Sequence, residues 1–407
     1  MMVATMFFLV VSITIIFGLV GPILRQQKIA ARLLLSRQSY FLAEAGVEDV
    51  VYRLKTAQTV GPTEVLSLAG STVTTVTTDN FPGKEIVSTG TANNAVRSVE
   101  ASLALGTGVI FRYGTQAGQG GFVFRNNSYV NGSLYSNGPI VGANNAYATG
   151  DAFSAGSSGS ISNMRVGYGG VGNAHAHTVT GSTITGALYC QTWSSNNKAC
   201  NTSEADPPVE EMPITEENII QWKSDAELGT VTTGNVTVSV STAMGPRKII
   251  GNLTVNSTLT ITDTIYVTGN VTLNSTVRLD PSYGAASGMI IADGYIIVGN
   301  GVDFQDSGTE GSYILILSTS DCDASMSGSP CLSHNAIDVS NNSDISIVNA
   351  QNGTVYFSNN AGVKEAVGNK IELKNNVGIE YGSGLINVGF VSGPSGGYVI
   401  TDWKEVE

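Results

Sequence analysis

The chain has 407 residues, of which 48 are Gly and only 13% are charged. That is too long for one ordinary domain and too poor in charge for a helical soluble protein, and it suits β-structure with many tight turns. The net charge of −12 is uneven: residues 1–55 hold six basic and three acidic groups, +3, leaving −15 for the rest, an acidic body that excludes nucleic acid as a partner.

The first element is apolar. From Val3 to Leu24 there is no Asp, Glu, Lys or Arg. Those residues, as a helix rising about 1.5 Å each, reach about 33 Å, enough to cross a bilayer core. A cleaved secretory signal would start basic, run shorter and end on small residues, so the run reads as a retained anchor. Gly18, Gly21 and Pro22 predict a kink or melted turn, because Pro lacks the N–H and clashes with the preceding turn. Beyond it Leu33, Tyr40, Val47 and Leu54 recur every seven residues, with Ala43, Val50 and Ala57 beside them. That is a seam suited to packing on another helix or on a sheet. Asp49 and Arg53 are spaced to pair. Gly61-Pro62 is a stop signal, so the rod ends near residue 58, roughly 85 Å from its start at 1.5 Å per residue.

The stretch Arg37-Gln38-Ser39-Tyr40-Phe41-Leu42-Ala43-Glu44-Ala45-Gly46-Val47-Glu48-Asp49, following an unbroken apolar run, resembles the N-terminal region of PilX-type minor pilins. Ala43, Glu44, Ala45 and Gly46 carry the motif. The resemblance covers residues 1–60. It implies a subunit of a type IV pilus-like filament, held in the membrane by this helix and packed among other pilin helices. The start departs from that family: no basic leader ending in Gly precedes the apolar run, and the acidic residue usual near the mature N-terminus is missing, Thr5 being the nearest polar side chain. Basic residues follow the run, which by the positive-inside rule alone puts the body in the cytoplasm; the paired cysteines and the Gly/Asn/Thr-rich composition argue for the outside.

Residues 61–107 read as a small β-element. Ser71–Thr78 is a Thr-rich strand, and Val99, Ala101, Leu103 and Leu105 alternate along another. Such a sheet would bury Val47, Val50 and Leu54. After Gly106 repeats appear: Gly-Asn segments begin at 234, 251 and 269, and Asn pairs recur at 341–342, 359–360 and 375–376. Short periods with apolar alternation predict a solenoid, here a right-handed parallel β-helix over 108–398. Val, Ile and Leu would stack inside, with Asn and Gly in left-handed turns and Asn amides in ladders. A Pro-rich stretch and a short helix at about 207–228, with Thr215 as N-cap and Ile214 and Ile219 as staple, interrupt it. Residues 399–407 read as a tail.

Chemistry is sparse. Cys190 with Cys200 and Cys322 with Cys331 are close pairs; four cysteines allow three connectivities, of which local pairing is the simplest, and disulfides imply an oxidising compartment. Neither spacing is that of a zinc site. His175 and His177 share one face of a strand without further ligands nearby, which reads as a polar face rather than a metal half-site. N-x-S/T matches follow from the abundance of Asn and Thr. Asp280, Asp293, Asp303 and Asp306 fall in successive repeats. A weak cluster of Asp293, Asp303 and Asp306 is the one enzyme hypothesis, since β-helix enzymes cut polysaccharides with carboxylates, but Asp-Gly and Asp-Ser-Gly are also turn sequences.

The sequence thus predicts a mainly β protein: a long N-terminal helix, membrane-spanning in its first third, a small pilin-like sheet and a large β-helix. It reads as a non-enzymatic, membrane-anchored minor or tip pilin displaying its body outside the cell for adhesion, with membrane, other pilin subunits, the assembly machinery and surface glycans as partners, and no cofactor or metal. The alternative is a surface β-helix that binds or cleaves polysaccharide on a simple anchor.

Overall fold

The computed structural model describes residues 2–55, 60–68, 70–80, 83–105, 111, 113–326, 331, 333–381 and 398–406. The chain divides into two compact units: Met1–Gly106 with Gly397–Glu407, and Thr107–Gly396.

In the first unit, helix α1 (Met2–Lys55) runs unbroken through Gly18, Gly21 and Pro22. The melted turn expected there is absent: one missing N–H removes a single backbone bond, while the surrounding run of Val, Ile and Leu leaves no competing polar partner for the backbone. The expected helix end near residue 58 lies outside the described residues. Four strands follow, β1 (Thr63–Leu68), β2 (Ser71–Asn80), β3 (Gly83–Ala92) and β4 (Ala95–Leu105), each antiparallel to the next. Residues expected as a C-terminal tail form strand Tyr398–Val406 instead, antiparallel to β4 with Tyr398 opposite Leu105. This segment pairs the backbone N–H and C=O groups on the free side of β4 and becomes the outer strand of a five-stranded sheet.

The sheet receives only the distal part of α1. Ala43, Val47 and Val50 are fully buried against Ile86, Val99 and Ala101, with Tyr40, Leu54 and Trp403 packed at the margin. Leu33 is 59% exposed, so the seven-residue seam is covered by the protein's own sheet from Tyr40 to Leu54 and is bare at Leu33.

The second unit is a stack of short parallel strands. Strands Arg247–Ile250, Leu253–Val255 and Leu259–Ile261 pair in register with Ile265–Val267, Val271–Leu273 and Val277–Leu279. These pair in turn with Gly288–Ala292, Ile296–Val298 and Phe304–Gln305. Alternate residues point inward, so Leu253, Val271 and Ile296 stack in one column and Val255, Leu273 and Val298 in another, all fully buried. The Asn residues of the turns sit at positive φ, as at Asn342, Asn360 and Asn376 (55°, 59° and 55°), where Asn is tolerated because its short side chain bonds locally.

The spatial order of the stack is not the chain order. Strand Gly362–Lys374 pairs in parallel with Thr115–Arg125, Ile371 lying opposite Phe122, and Gly378 lies opposite Tyr129. The stack therefore runs from Thr230 to Glu380 and continues from Thr115 to Ser194. The chain enters at the middle, builds to one end, returns over the outside and builds from the other end back to the middle. The return segment contains α2 (Glu216–Glu227), N-capped by Thr215, whose side chain accepts from Asn218 N at 3.3 Å. What reads in sequence as an interruption is the connection that makes this order possible.

Candidate functional site

Gly46 is where the helix meets the sheet most closely. A Cβ there would lie 2.6 Å from Thr75 Oγ1 and 2.8 Å from Val73 Cγ2, and nearer still to Ser88 Oγ. Opposite it, Gly90 abuts Ser39 O and Ala43 N, where a Cβ has no room. Ala43 and Gly46 are thus the small face that lets α1 lie flat on β2 and β3. Ala45 faces away and is exposed, and Glu44, beside them, hydrogen-bonds the Tyr40 phenol and raises its pKa. Arg53 reaches Asp49 Oδ2 at 2.5 Å and Glu64 Oε1 at 3.2 Å, and Glu64 accepts from Gly61 N at 2.9 Å, tying the helix to β1. A cleft of about 350 Å³ opens beside Ser36, Arg37, Tyr40, Phe41, Arg97 and Glu405. In it Arg97 bonds Glu405 at 2.9 Å and Ser36 at 2.9 Å.

The membrane-competent part of α1 is naked. Its most apolar window has mean hydropathy 2.6 and none of it is buried. Phe7, Phe8, Ile15 and Ile16 are each more than half exposed.

In the second unit the return segment lies as a strap over one face of the stack. His175 Nδ1 is 3.4 Å from Glu204 and His177 Nδ1 is 2.9 Å from Asp206. Tyr135 donates to Pro208 O, Asn137 exchanges two bonds with Glu210 (2.6 and 3.0 Å), and Gln116 donates to Glu211 O at 2.8 Å. The strap then buries Ile214, Ile219 and Trp222 on Tyr266, Ile291, Leu317 and Val367. The two histidines are strap contacts. Burial lowers the His175 pKa against the opposing pull of Glu204. Among the described residues no group of three or more His, Cys, Asp and Glu is placed to hold a metal.

The carboxylates expected to cluster do not. Asp293, at the end of strand Gly288–Ala292, bonds Lys223 at 2.5 Å, Tyr266 at 2.6 Å and Thr319 at 3.1 Å. Asp303 and Asp306 flank strand Phe304–Gln305, which belongs to a different sheet. Asp303 accepts from Gln305 and Asp306 from Gly308 in its own turn. Asp280 caps the short 3-10 turn Pro281–Tyr283, accepting from Ser282 N at 3.0 Å. Asp280, Asp293 and Asp306 fall at turns, Asp303 forms a parallel bridge to Asp344, and Asp293 clamps α2 to the stack.

Cys190 pairs with Cys200 and Cys322 with Cys331, with Cα separations of 5.5 and 5.6 Å. Beneath the strap lie buried polar groups that no motif announced. Glu365 is 1% exposed and its Oε2 has no hydrogen-bond partner. Asn349 is fully buried with both amide atoms unpaired. Burial alone pushes the Glu365 carboxyl well above the usual carboxylate range. The only sequence signal was a charged residue at a position that the alternation assigns to a covered face.

No protein-family profile and no curated protein matches the sequence. Among solved structures, a similar chain is the competence-associated pilin ComZ from Thermus thermophilus, at 10% identity and a TM-score of 0.30, with 91% of this chain and 97% of that chain covered.

Proposed function

We propose that the protein is a membrane-anchored, pilin-like surface subunit. Its α1 and five-stranded sheet serve assembly, and its second unit is a right-handed parallel β-helix displayed outside the cell, at a minor or tip position. The observation that carries this reading is the division of α1. Its first part is apolar and uncovered, while its distal part is packed by Ala43, Gly46, Val47 and Val50 onto an antiparallel sheet of the same chain. A simple anchor needs no such docked continuation. The parallel registers and the repeated inward columns support the β-helix assignment. The two local disulfides support an oxidising, extracytoplasmic location for that unit. The Asn- and Thr-lined turns suit a rigid display surface, and adhesion is the role we assign to it; no catalytic constellation enters the reading.

The test is made in the native host. Sheared and gradient-purified filaments are probed for the protein by immunogold labelling, and whole cells are treated with protease. Labelled filaments together with digestion of the second unit on intact cells are expected. Quantitative retention in the membrane fraction, with no filament-associated protein, would sink the pilin reading and leave the anchor.

A further inference from the structure

The two ends of the strand stack are finished differently. At the Ser194 end the chain caps itself. Asn196 Oδ1 accepts from Ser182 N at 2.9 Å and its Nδ2 donates to Val179 O at 2.8 Å. Asn197 does the same for Ile184, at 2.8 and 2.9 Å. Lys198 donates to Thr185 O and Gly186 O at 2.6 and 2.5 Å, and the Cys190–Cys200 disulfide and the Tyr189–Asn201 bridge hold this cap in place. Side chains there stand in for the strand that a further repeat would have supplied.

The Thr230 end has no such cap. Strands Thr230–Thr233, Val236–Val238 and Thr242–Met244 each pair on one edge only, with Arg247–Ile250, Leu253–Val255 and Leu259–Ile261. Among the described residues no strand pairs with their other edges. The turn ladder is also left open: Asn252 N donates to Asn235 Oδ1 at 3.0 Å and Asn270 N to Asn252 Oδ1 at 2.8 Å, and Asn235 is the last in the row. From Leu228 to Pro246 there is no Asp, Glu, Lys or Arg, so the usual charged guards of an edge strand are missing from this repeat. Val231 is 51% and Val240 71% exposed. The nearest inward cation, Arg247, is engaged within the chain, donating to Thr232 Oγ1 from Nη2 at 2.7 Å and from Nε at 3.0 Å.

We propose that the open end pairs with the same end of a second copy, in a two-fold arrangement that sets Thr230–Thr233 antiparallel to its symmetry mate. The occupant follows from three features. An uncharged edge of alternating Thr and Val is complementary to itself and offers nothing to a charged partner. The edge continues a strand-on-strand interface already repeated along the stack. Head-to-tail stacking is blocked because the opposite end is closed by its own side chains. A two-fold contact also consumes both open edges, so the assembly stops at two.

The test uses the full chain in detergent, with mass from light scattering after correction for bound detergent. A dimer at micromolar concentration is expected. Val231→Glu places like charges across the pairing edge while sitting beside Lys248 in its own copy; it should yield monomer with an unchanged circular dichroism spectrum. Because all four cysteines are paired, Val231→Cys supplies a lone thiol, and a short bismaleimide should link two copies, whereas Val171→Cys, at an 80% exposed site elsewhere, should not be linked. A monomeric wild type, a dimer that survives Val231→Glu because α1 holds it, or open-ended oligomers would each overturn the proposal.

Discussion

Asn126 donates its side-chain amide to Asn375 Oδ1 at 2.5 Å, joining residues 249 apart in sequence. The bond lies in a ladder in which Asn144 donates to Asn126 (2.7 Å), Asn375 to Asn359 (2.6 Å) and Asn359 to Asn341 (2.7 Å). A second row, Asn145, Asn127, Asn376, Asn360 and Asn342, runs beside it. The ladder crosses the junction between the two halves of the stack without a step, and it is what makes that junction equivalent to any other pair of repeats.

Asn375→Ala should therefore destabilise the second unit. It removes two side-chain bonds worth about 0.5–1.5 kcal/mol each and puts a Cβ-bearing residue without a compensating amide at φ 56°, costing about 1–2 kcal/mol. Asn375→Gly removes the same bonds but keeps the backbone at ease. Denaturant unfolding should rank wild type above Gly and Gly above Ala; equal losses for the two variants would refute the backbone argument.

Gly46→Val should loosen the first unit alone. Its side chain has no space against Thr75, Ser88 and Val73, and overpacking of this kind costs about 1–3 kcal/mol or more. Limited proteolysis should show earlier cleavage between α1 and β1, with the melting of the second unit unchanged. A wild-type digestion pattern would mean the helix does not lie on the sheet at this residue.

Glu365 should make the second unit pH-sensitive. Its folded pKa is raised well above 4.5 by burial, so the folded state binds this proton more tightly than the unfolded chain. The associated stability is complete below about 4.5 and is lost as pH rises from there toward the folded pKa. Glu365→Gln removes the titration. Its Tm should exceed that of the wild type increasingly as pH rises above 5. Parallel Tm curves for the two proteins would show that the carboxyl is not held neutral.

Leu105 and Tyr398 are register partners on β4 and the C-terminal strand, so the second unit is inserted in the chain between two paired residues. Replacing residues 106–397 with an Asn-Gly turn should leave the five-stranded sheet folded, since a two-residue loop of this kind closes an antiparallel pair. Hydrogen exchange of the amides of β3 and β4 is the readout; loss of protection there would show that the inserted unit is needed to fold the sheet.

Periodicity made several elements readable from sequence. Of the seven-residue seam, Tyr40, Val47 and Leu54 lie on the sheet and Leu33 does not, and the Gly-Asn and Asn-Asn repeats fall in the turns between the stacked strands. The partners were less legible. Tyr40, Val47 and Leu54 announce an apolar stripe, but a stripe has the same pattern whether a neighbouring helix or the chain's own sheet covers it. The Asp residues at 293, 303 and 306 recur in successive repeats, but whether they face one another depends on which sheet each turn leaves. The pairs Asn126-Asn127 and Asn144-Asn145, which share the 18-residue step of Asn341-Asn342 and Asn359-Asn360, were the available clue to the stack's true order.

By itself the sequence determined what kinds of element this protein contains: an apolar helix with a small-residue face, an uncharged repeat of inward Val, Ile and Leu, and turns that only Asn and Gly fill well. These are local matters, set by side-chain size, backbone freedom and period. Only the tertiary structure decided which repeat follows which, that Tyr398–Val406 joins the sheet of the first unit, and that a strap links the two ends of the stack. Parallel repeats with the same columns are interchangeable as neighbours, so local chemistry cannot rank them. The length of the return connection selects one arrangement from many.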